Sequence, residues 1–242
     1  MSVFPRSDVS IHYEQRGHGT PVLLLAPGGM GSTIEAWERA PFSPFDVYAD
    51  EFHVVAMDQR NTGRTHAPLD ARDPWGSYAD DQLQLMDHLG LATFGVIGMC
   101  IGCAFALKLA ERAPGRVAAA VLLQPIGLLE ENRALFERMW HEWRDELLDQ
   151  REDVTAEEVD AFGREMWGQE GFVGSVSRDA VRSMRTPMLV MPGVDAGHPA
   201  AIAREIASLA PAAELWEPWR STPERVAETA TRVREFLRAH SD

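Results

Sequence analysis

The feature that most narrows what this chain can fold into is the run Phe94-Gly95-Val96-Ile97-Gly98-Met99-Cys100-Ile101-Gly102, followed by an Ala-rich amphipathic stretch through Ala110. An apolar strand meets Gly-x-Cys-x-Gly and a helix starts at once, the order that a sharp strand-to-helix turn requires. In such a turn the central residue takes a strained backbone conformation. Side chains two positions before and after it would collide with neighbouring elements, so both places call for glycine. The sulfur then lies at a helix N-terminus, where unpaired backbone N–H groups and the helix dipole favour the thiolate; thiols so placed can have pKa values of about 3.5–7.5. A lone cysteine at a strand end would be a small buried apolar residue. The flanking glycines in this context make Cys100 a candidate nucleophile.

The rest of the chain supplies the sheet that such a turn needs. Short apolar runs alternate with longer segments of helical period, the pattern of a mostly parallel sheet covered by helices on both faces. Strands are expected at residues 9–14, 21–25, 52–57, 94–97, 117–123, 187–191 and 214–217, several of them buried on both faces. Covering helices are expected at 78–89, 102–112, 199–209 and 223–239, with proline just inside the start of two. From Gly127 to Arg182 the alternation breaks into charged helical sequence. The expected division is a core of residues 1–126 and 183–242 with a helical lid, 127–182, inserted in it. Within that insertion Phe136, Trp140, Trp143 and Leu147 share one helical face, and Phe162, Met166 and Trp167 form a second apolar group. Packing onto the body accounts for most such side chains; as a group they suggest an apolar roof. No repeat, low-complexity tract or linker argues for a second independent domain.

A chain of 242 residues fits one large α/β domain. Its formal charge of −14 argues against nucleic acid or an anionic membrane as partner, since no basic patch compensates it. The acidity says little about substrate, because stretches such as 224–238 interleave glutamates with arginines as a solvated helix face would. No basic segment precedes an apolar run near residue 1, and no stretch is long enough to cross a bilayer, so a cytoplasmic location is expected. Two cysteines are too few for a disulfide scaffold, and their meaning must be local.

With these residues in order, the chain resembles the α/β-hydrolase superfamily over nearly its whole length. Leu23-Leu24-Leu25-Ala26-Pro27-Gly28-Gly29-Met30-Gly31 is similar to the family's oxyanion loop, with Pro27 where a histidine is usual. The resemblance implies that backbone N–H groups of Gly29 and Ile101 hold an oxyanion. Asp58-Gln59-Arg60-Asn61-Thr62-Gly63-Arg64-Thr65 resembles a bracing turn with a structural role. The segment from Pro187 to Asp195 resembles the late strand and loop that present the triad acid, which points to Asp195. One match fails: family members usually carry the catalytic histidine after the last strand, and here Leu215-Trp216-Glu217-Pro218-Trp219-Arg220-Ser221-Thr222 runs straight into the final helix.

A cysteine, histidine and acid relay needs an imidazole within hydrogen-bond reach of the sulfur. His198 is the first choice, because Asp195-Ala196-Gly197-His198-Pro199 lets one loop offer acid and base together; an ordinary loop histidine before a helix explains the same letters. His66 and His141 are reserves, His240 reads as a solvated tail residue, and His12, His18, His53 and His88 carry no motif.

Cys100-Ile101-Gly102-Cys103 is also a Cys-x-x-Cys at a helix start, a redox arrangement. That reading leaves the glycines, the oxyanion-like loop and the Asp195 loop without a role. A third reading is a ligand-binding protein, or a non-hydrolytic enzyme such as a lyase or cyclase, on a hydrolase scaffold that lacks the usual histidine. No metal-ligand spacing such as His-Glu-x-x-His occurs, and Gly28, Gly29 and Gly31 lack the Gly-Lys-Ser/Thr of a phosphate loop, so neither metal nor cofactor is expected.

The fold expected is thus an α/β-hydrolase fold: a central, mostly parallel, eight-stranded sheet with helices on both faces and a helical lid. Cys100, His198 and Asp195 are its candidate catalytic residues and Gly29 and Ile101 its oxyanion donors. Met99, Trp140, Trp143, Met166 and Trp167 are the candidate substrate contacts. The expected substrate is a small to medium, partly apolar activated ester, lactone or thioester, attacked to give an acyl-enzyme that water or another acceptor resolves. Dienelactone-hydrolase-like and polyester-synthase-like enzymes are similar in their cysteine elbow, and nothing else selects either. A homodimer is left open.

Overall fold

The computed structural model describes residues 2–168 and 171–240. Eight strands form one sheet: β1 (Ser2–Arg6), β2 (Val9–Arg16), β3 (Pro21–Leu25), β4 (His53–Met57), β5 (Phe94–Met99), β6 (Val117–Leu123), β7 (Met188–Met191) and β8 (Ala213–Leu215). Their spatial order is β1-β2-β4-β3-β5-β6-β7-β8. The first two pairings, β1 with β2 and β2 with β4, are antiparallel, and every other neighbour is parallel. The eight α-helices are α1 (Pro44–Val47), α2 (Pro74–His88), α3 (Ile101–Arg112), α4 (Arg133–Gln150), α5 (Ala156–Trp167), α6 (Arg178–Ser183), α7 (Ala200–Leu209) and α8 (Pro223–Ala239).

Strand alternation divides the interior into two layers. Leu23, Leu25, Val96, Ala120, Leu122, Met188 and Val190 pack with the buried faces of α2, α3 and α7. Val22, Leu24, Ile97, Met99, Val121, Leu123, Leu189 and Met191 turn the other way, toward Phe45 of α1 and Val233, Phe236 and Leu237 of α8. Proline opens α2 and α8 at their first turn, and the side chains of Asp73 and Thr222 cap them by accepting from Gly76 N and Arg225 N at 3.0 and 3.2 Å.

The sequence reading missed β1. Its residues alternate between half-buried and exposed, and Pro5 lies within it, so its hydrophobic signal is weak; it is held as an edge strand by its hairpin with β2. β5 continues two residues beyond its expected end and runs up to Cys100. β8 is shorter and earlier than expected, with two of its three residues exposed.

Among the described residues, α4, α5 and α6 are the α-helices between β6 and β7. Of these, α6 packs on α3 and α7 and belongs to the body's helical layer. The pair α4 and α5 stands over the C-terminal edge of the sheet, where α4 meets the short 3-10 turn Gly29–Gly31. Side-chain hydrogen bonds pin the pair: Trp75 Nε1 to Met166 O at 3.0 Å, and Arg151 Nη1 to Asn61 Oδ1 at 2.6 Å. A capping box between Thr155 and Glu158 starts α5. Among the described residues no helix is long and apolar enough to cross a membrane.

The tightest backbone approach surrounds the β5–α3 turn. A Cβ on Gly102 would stand 2.0 Å from Leu25 O, and one on Gly98 2.3 Å from Gly102 O, so each added methyl meets main chain that cannot swing aside. Gly102→Ala is therefore expected to destabilise the fold by about 2–3 kcal/mol or more. Gly31→Ala, whose methyl would meet only Thr62 Oγ1 at 3.9 Å, should stay within about 0.5 kcal/mol. Urea unfolding midpoints of the two variants check both expectations.

Candidate active site

Cys100 sits between β5 and α3 with φ 59° and ψ −120°, a left-handed conformation that a side-chain-bearing residue holds only where its surroundings impose it. Two constraints do so. The Cys100 N–H donates to Leu123 O at 3.0 Å, which ties the turn to the end of β6, and the two glycines let β3 and α3 close around it. The turn thereby lifts the sulfur to the start of α3.

The loop after β7 brings the histidine. Gly193 is the tight point: a Cβ there would lie 2.2 Å from the Cβ of His198, so the loop folds back on itself, and Asp195 and His198 form an isolated antiparallel bridge. Asp195 Oδ1 accepts three hydrogen bonds, from Gly197 N at 3.1 Å, His198 N at 3.1 Å and His198 Nδ1 at 2.7 Å. Nε2 of His198, on the opposite edge of the ring, is buried without a hydrogen-bond partner, and His198 and Cys100 line the same cavity. The loop is tied from outside as well. Asn132 Nδ2 donates to Ala196 O at 2.7 Å, and Trp219 Nε1 donates to Pro192 O at 2.7 Å.

The electrostatics follow from this arrangement. Burial opposes ionisation of Cys100, but the hydrogen bond and charge of His198, with the backbone N–H groups of Ile101 and Gly28, outweigh it and hold the thiol below its ordinary value. Burial likewise opposes the charged form of His198, and the Cys100 sulfur and the Asp195 carboxylate more than offset it, so the imidazole is raised. Asp195 is lowered, its burial outweighed by His198 and by the Gly197 N–H. The thiol is lowered and the imidazole raised, the directions that favour a thiolate–imidazolium pair.

Cys103 lies one turn along α3, fully buried, and its thiol donates to Gly98 O at 3.2 Å and Leu123 O at 3.3 Å. Burial first, then the neighbouring Cys100, pushes it well above the ordinary thiol range. Its sulfur serves as a hydrogen-bond donor in the core, which does not suit a redox partner for Cys100.

A cavity of about 340 Å³ lies over the sulfur. Cys100, Ile101, Gly28, Gly29, Asp195 and His198 line it from the body, and Trp140, Trp143 and Trp167 from the helices above. Two expected substrate contacts lie elsewhere. Met99 is 5% exposed and, because β5 runs on to this residue, strand alternation turns its side chain away into the layer beneath α1 and α8. Met166 is fully buried among the core side chains that bind α5 to the body.

Leu135, Met139, Glu142 and Glu146 also line the cavity, and the sequence reading did not single them out. Their spacing of four, three and four residues was the available signal for one helical stripe. A neighbouring cavity of about 520 Å³ between α4 and α5 shares Phe136, Trp140 and Trp167 with the first and includes His141. His66 is exposed and its backbone pairs with Ser10; neither His66 nor His141 lines the cavity over Cys100. Asp58 is fully buried and accepts from Ile34 N and Arg64 N, both at 2.9 Å, as a brace. Among the described residues no group of three His, Cys, Asp or Glu side chains could hold a metal ion.

Sheet order, elbow, late acid loop and helical cover together define an α/β-hydrolase architecture. A family model described as the alpha/beta hydrolase fold matches residues 21–170, more than half of the chain, and the chain belongs to that family. Curated relatives include RutD of Variovorax paradoxus, provisionally named a carbamate hydrolase, 32% identical over 113 residues, covering 47% of this chain and 41% of that protein. The proline iminopeptidase of Neisseria gonorrhoeae is 34% identical over 117 residues, covering 46% of this chain and 35% of that protein. The match thus spans about two fifths of the length of these relatives. Among solved structures, the meta-cleavage product hydrolase CumD of Pseudomonas fluorescens IP01 superposes with a TM-score of 0.72 at 21% identity, over 99% of this chain and 98% of that one. The enol-lactonase of Burkholderia xenovorans LB400 does so with a TM-score of 0.69 at 22% identity, over 98% and 100%. At such identities these likenesses show the fold.

The two thiols should separate cleanly in a labelling experiment. Cys100, lowered by His198, is expected to react with iodoacetamide at pH values below the ordinary thiol range, its rate falling only as the thiolate is protonated in more acidic solution. Cys103 should label only after unfolding. Peptide mass spectrometry across a pH series tests both; equal labelling of the two in the native chain would contradict the assignment.

Proposed function

We propose that the chain is a hydrolase or acyltransferase that attacks an activated ester, lactone or thioester through Cys100. The observation that carries this reading is that Cys100 and His198 line one cavity, with His198 Nδ1 bonded to Asp195 Oδ1 at 2.7 Å. In the first step the thiolate adds to the carbonyl carbon. The oxygen that becomes negative is held by backbone N–H groups of Ile101 and Gly29, both lining the cavity. Collapse expels the leaving group, which takes the proton of the His198 imidazolium. His198, now neutral, removes a proton from water or an acceptor alcohol as it attacks the thioester, and the thiolate returns when the acyl group leaves. Asp195 keeps the ring oriented and its Nδ1 protonated.

On this reading α4 and α5 act as the lid. The aromatic wall of Phe136, Trp140, Trp143 and Trp167 favours a partly apolar substrate by burying its surface. Glu142, Glu146 and Asp195 line the same cavity, and none of its described lining residues is Lys or Arg. A substrate bearing a carboxylate would meet like charge there, so neutral or cationic substrates suit it better. A carbamate, the group in the name of the Variovorax relative, presents the same kind of carbonyl and belongs in the test panel.

Intact-mass spectrometry after brief exposure to p-nitrophenyl esters, lactones, thioesters and carbamates should reveal an acyl adduct on the native chain and none on Cys100→Ala. In His198→Ala, loss of proton transfer is expected to slow release of the adduct by about 100-fold or more. An adduct that survives Cys100→Ala sinks the nucleophile assignment. Within a matched ester series ending in trimethylammonium, tert-butyl or carboxylate, kcat/KM should be lowest for the carboxylate, and the gap should narrow as salt is raised.

A further inference from the structure

The loop after β8, where family members usually carry their histidine, holds Trp216-Glu217-Pro218-Trp219-Arg220 instead. This loop is firmly built. Trp216 N donates to Val190 O at 2.9 Å, Trp216 Nε1 to Thr229 Oγ1 at 3.0 Å, and Thr229 Oγ1 to Trp219 O at 2.8 Å. Trp219 is buried, and through Pro192 O it is joined to the base of the loop that carries Asp195 and His198. The Arg220 guanidinium carbon lies over the Trp219 ring, 5.1 Å from its centroid, and its Nη2 stands 4.0 Å from Asp195 Oδ2.

The two oxygens of Asp195 are thus divided. All three hydrogen bonds from its own loop fall on Oδ1, while Oδ2 is the oxygen near Arg220. We propose that Arg220 is a positioning residue, which holds the free oxygen of Asp195 and through it sets the orientation and charge of the His198–Cys100 pair. This rests on the reading above in which those three residues act together. The two late loops have exchanged parts: the acid's loop supplies the histidine, and the loop that ordinarily supplies the histidine supplies a cation for the acid.

The physics favours arginine for the task. Its planar group already lies over a buried ring, so less rotamer freedom is lost in facing the carboxylate. Asp195 is 52% exposed, so solvent screens the pair and its effect is modest. A fixed positive charge near the pair helps the thiolate form and resists the imidazolium, so removing it moves both titrations to higher pH. Among the described residues, the other titratable side chains lining the cavity with Asp195 and His198 are Cys100 from the β5–α3 turn and Glu142 and Glu146 from α4. Glu217, in the Arg220 loop itself, is paired with Arg204 of α7 at 2.9 Å.

The test is the pH profile of Cys100 alkylation, read without substrate, in the native chain and in Arg220→Ala, Arg220→Gln, Arg220→Lys, Asp195→Asn and the Asp195→Asn/Arg220→Ala double variant. Arg220→Ala is expected to move the midpoint up by about half a pH unit and to slow acylation by p-nitrophenyl acetate about threefold, as a half-exposed ion pair would. Lysine should restore most of the shift. Glutamine, which keeps a stem over Trp219 without the charge, should behave like alanine. In the double variant the two effects should be less than additive. An unmoved midpoint in Arg220→Ala, a native-like profile in Arg220→Gln, or simple additivity overturns the role of Arg220. If the native Cys100 alkylates with the pH dependence of an ordinary thiol, the hydrolase reading itself fails, whatever Arg220 does.

Discussion

The arrangement depends on how closely β3 and α3 can approach at the β5–α3 turn. Gly98 and Gly102 leave no room for a side chain against Gly102 O and Leu25 O, and the Cys100 N–H is taken by Leu123 at the end of β6. Those three anchors set the backbone of Cys100 in a conformation it would not adopt alone. The strain is carried by the sheet, whose buried parallel strands pack on both faces and cannot yield locally. A sulfur presented in this way has the N-terminus of α3 behind it, Gly28 and Ile101 amides beside it and a cavity above it.

Around that fixed point the electrostatics are a balance of burial against neighbours. Burial alone would favour the neutral thiol and imidazole, and each shifts the other toward its charged form. Asp195, half in water, contributes by holding the ring more than by deep charge stabilisation, since solvent screens it. Cys103 shows the opposite outcome a turn away: fully buried where Cys100 is half-buried, with carbonyl acceptors in place of an imidazole, its thiol is pushed well above the ordinary range. The contrast between the two cysteines comes from their burial and their partners.

Most of the fold was legible because it rests on short-range patterns. Apolar runs located seven of the eight strands, proline located the start of α8, and Gly-x-Cys-x-Gly located the turn, while α2 begins at Pro74, four residues before its expected start. The Asp195-Ala196-Gly197-His198 spacing brought its two side chains together because a bridge closed over four residues is a local event. What escaped were features without a strong local signature. β1 is an edge strand with few buried residues, and the Met99 side chain is directed by a strand that runs two residues further than its hydrophobic run suggested. Met166 and Trp167 are adjacent, yet one packs into the body and the other lines the cavity, a choice made by where α5 docks.

By itself, then, the sequence determined the class of fold, the strained turn and its cysteine, and the pairing of an acid with a histidine three residues on. These follow from backbone sterics and from contacts between near neighbours in the chain. Only the tertiary structure decided that this histidine shares a cavity with the sulfur, that Leu135, Met139, Glu142 and Glu146 line that cavity, and that Arg220 lies beside Asp195. Those meetings join β5, β7, β8 and α4, segments tens of residues apart, and their geometry is set by the packing of whole layers. Local preference leaves such distances open, and the closing of the sheet fixes them.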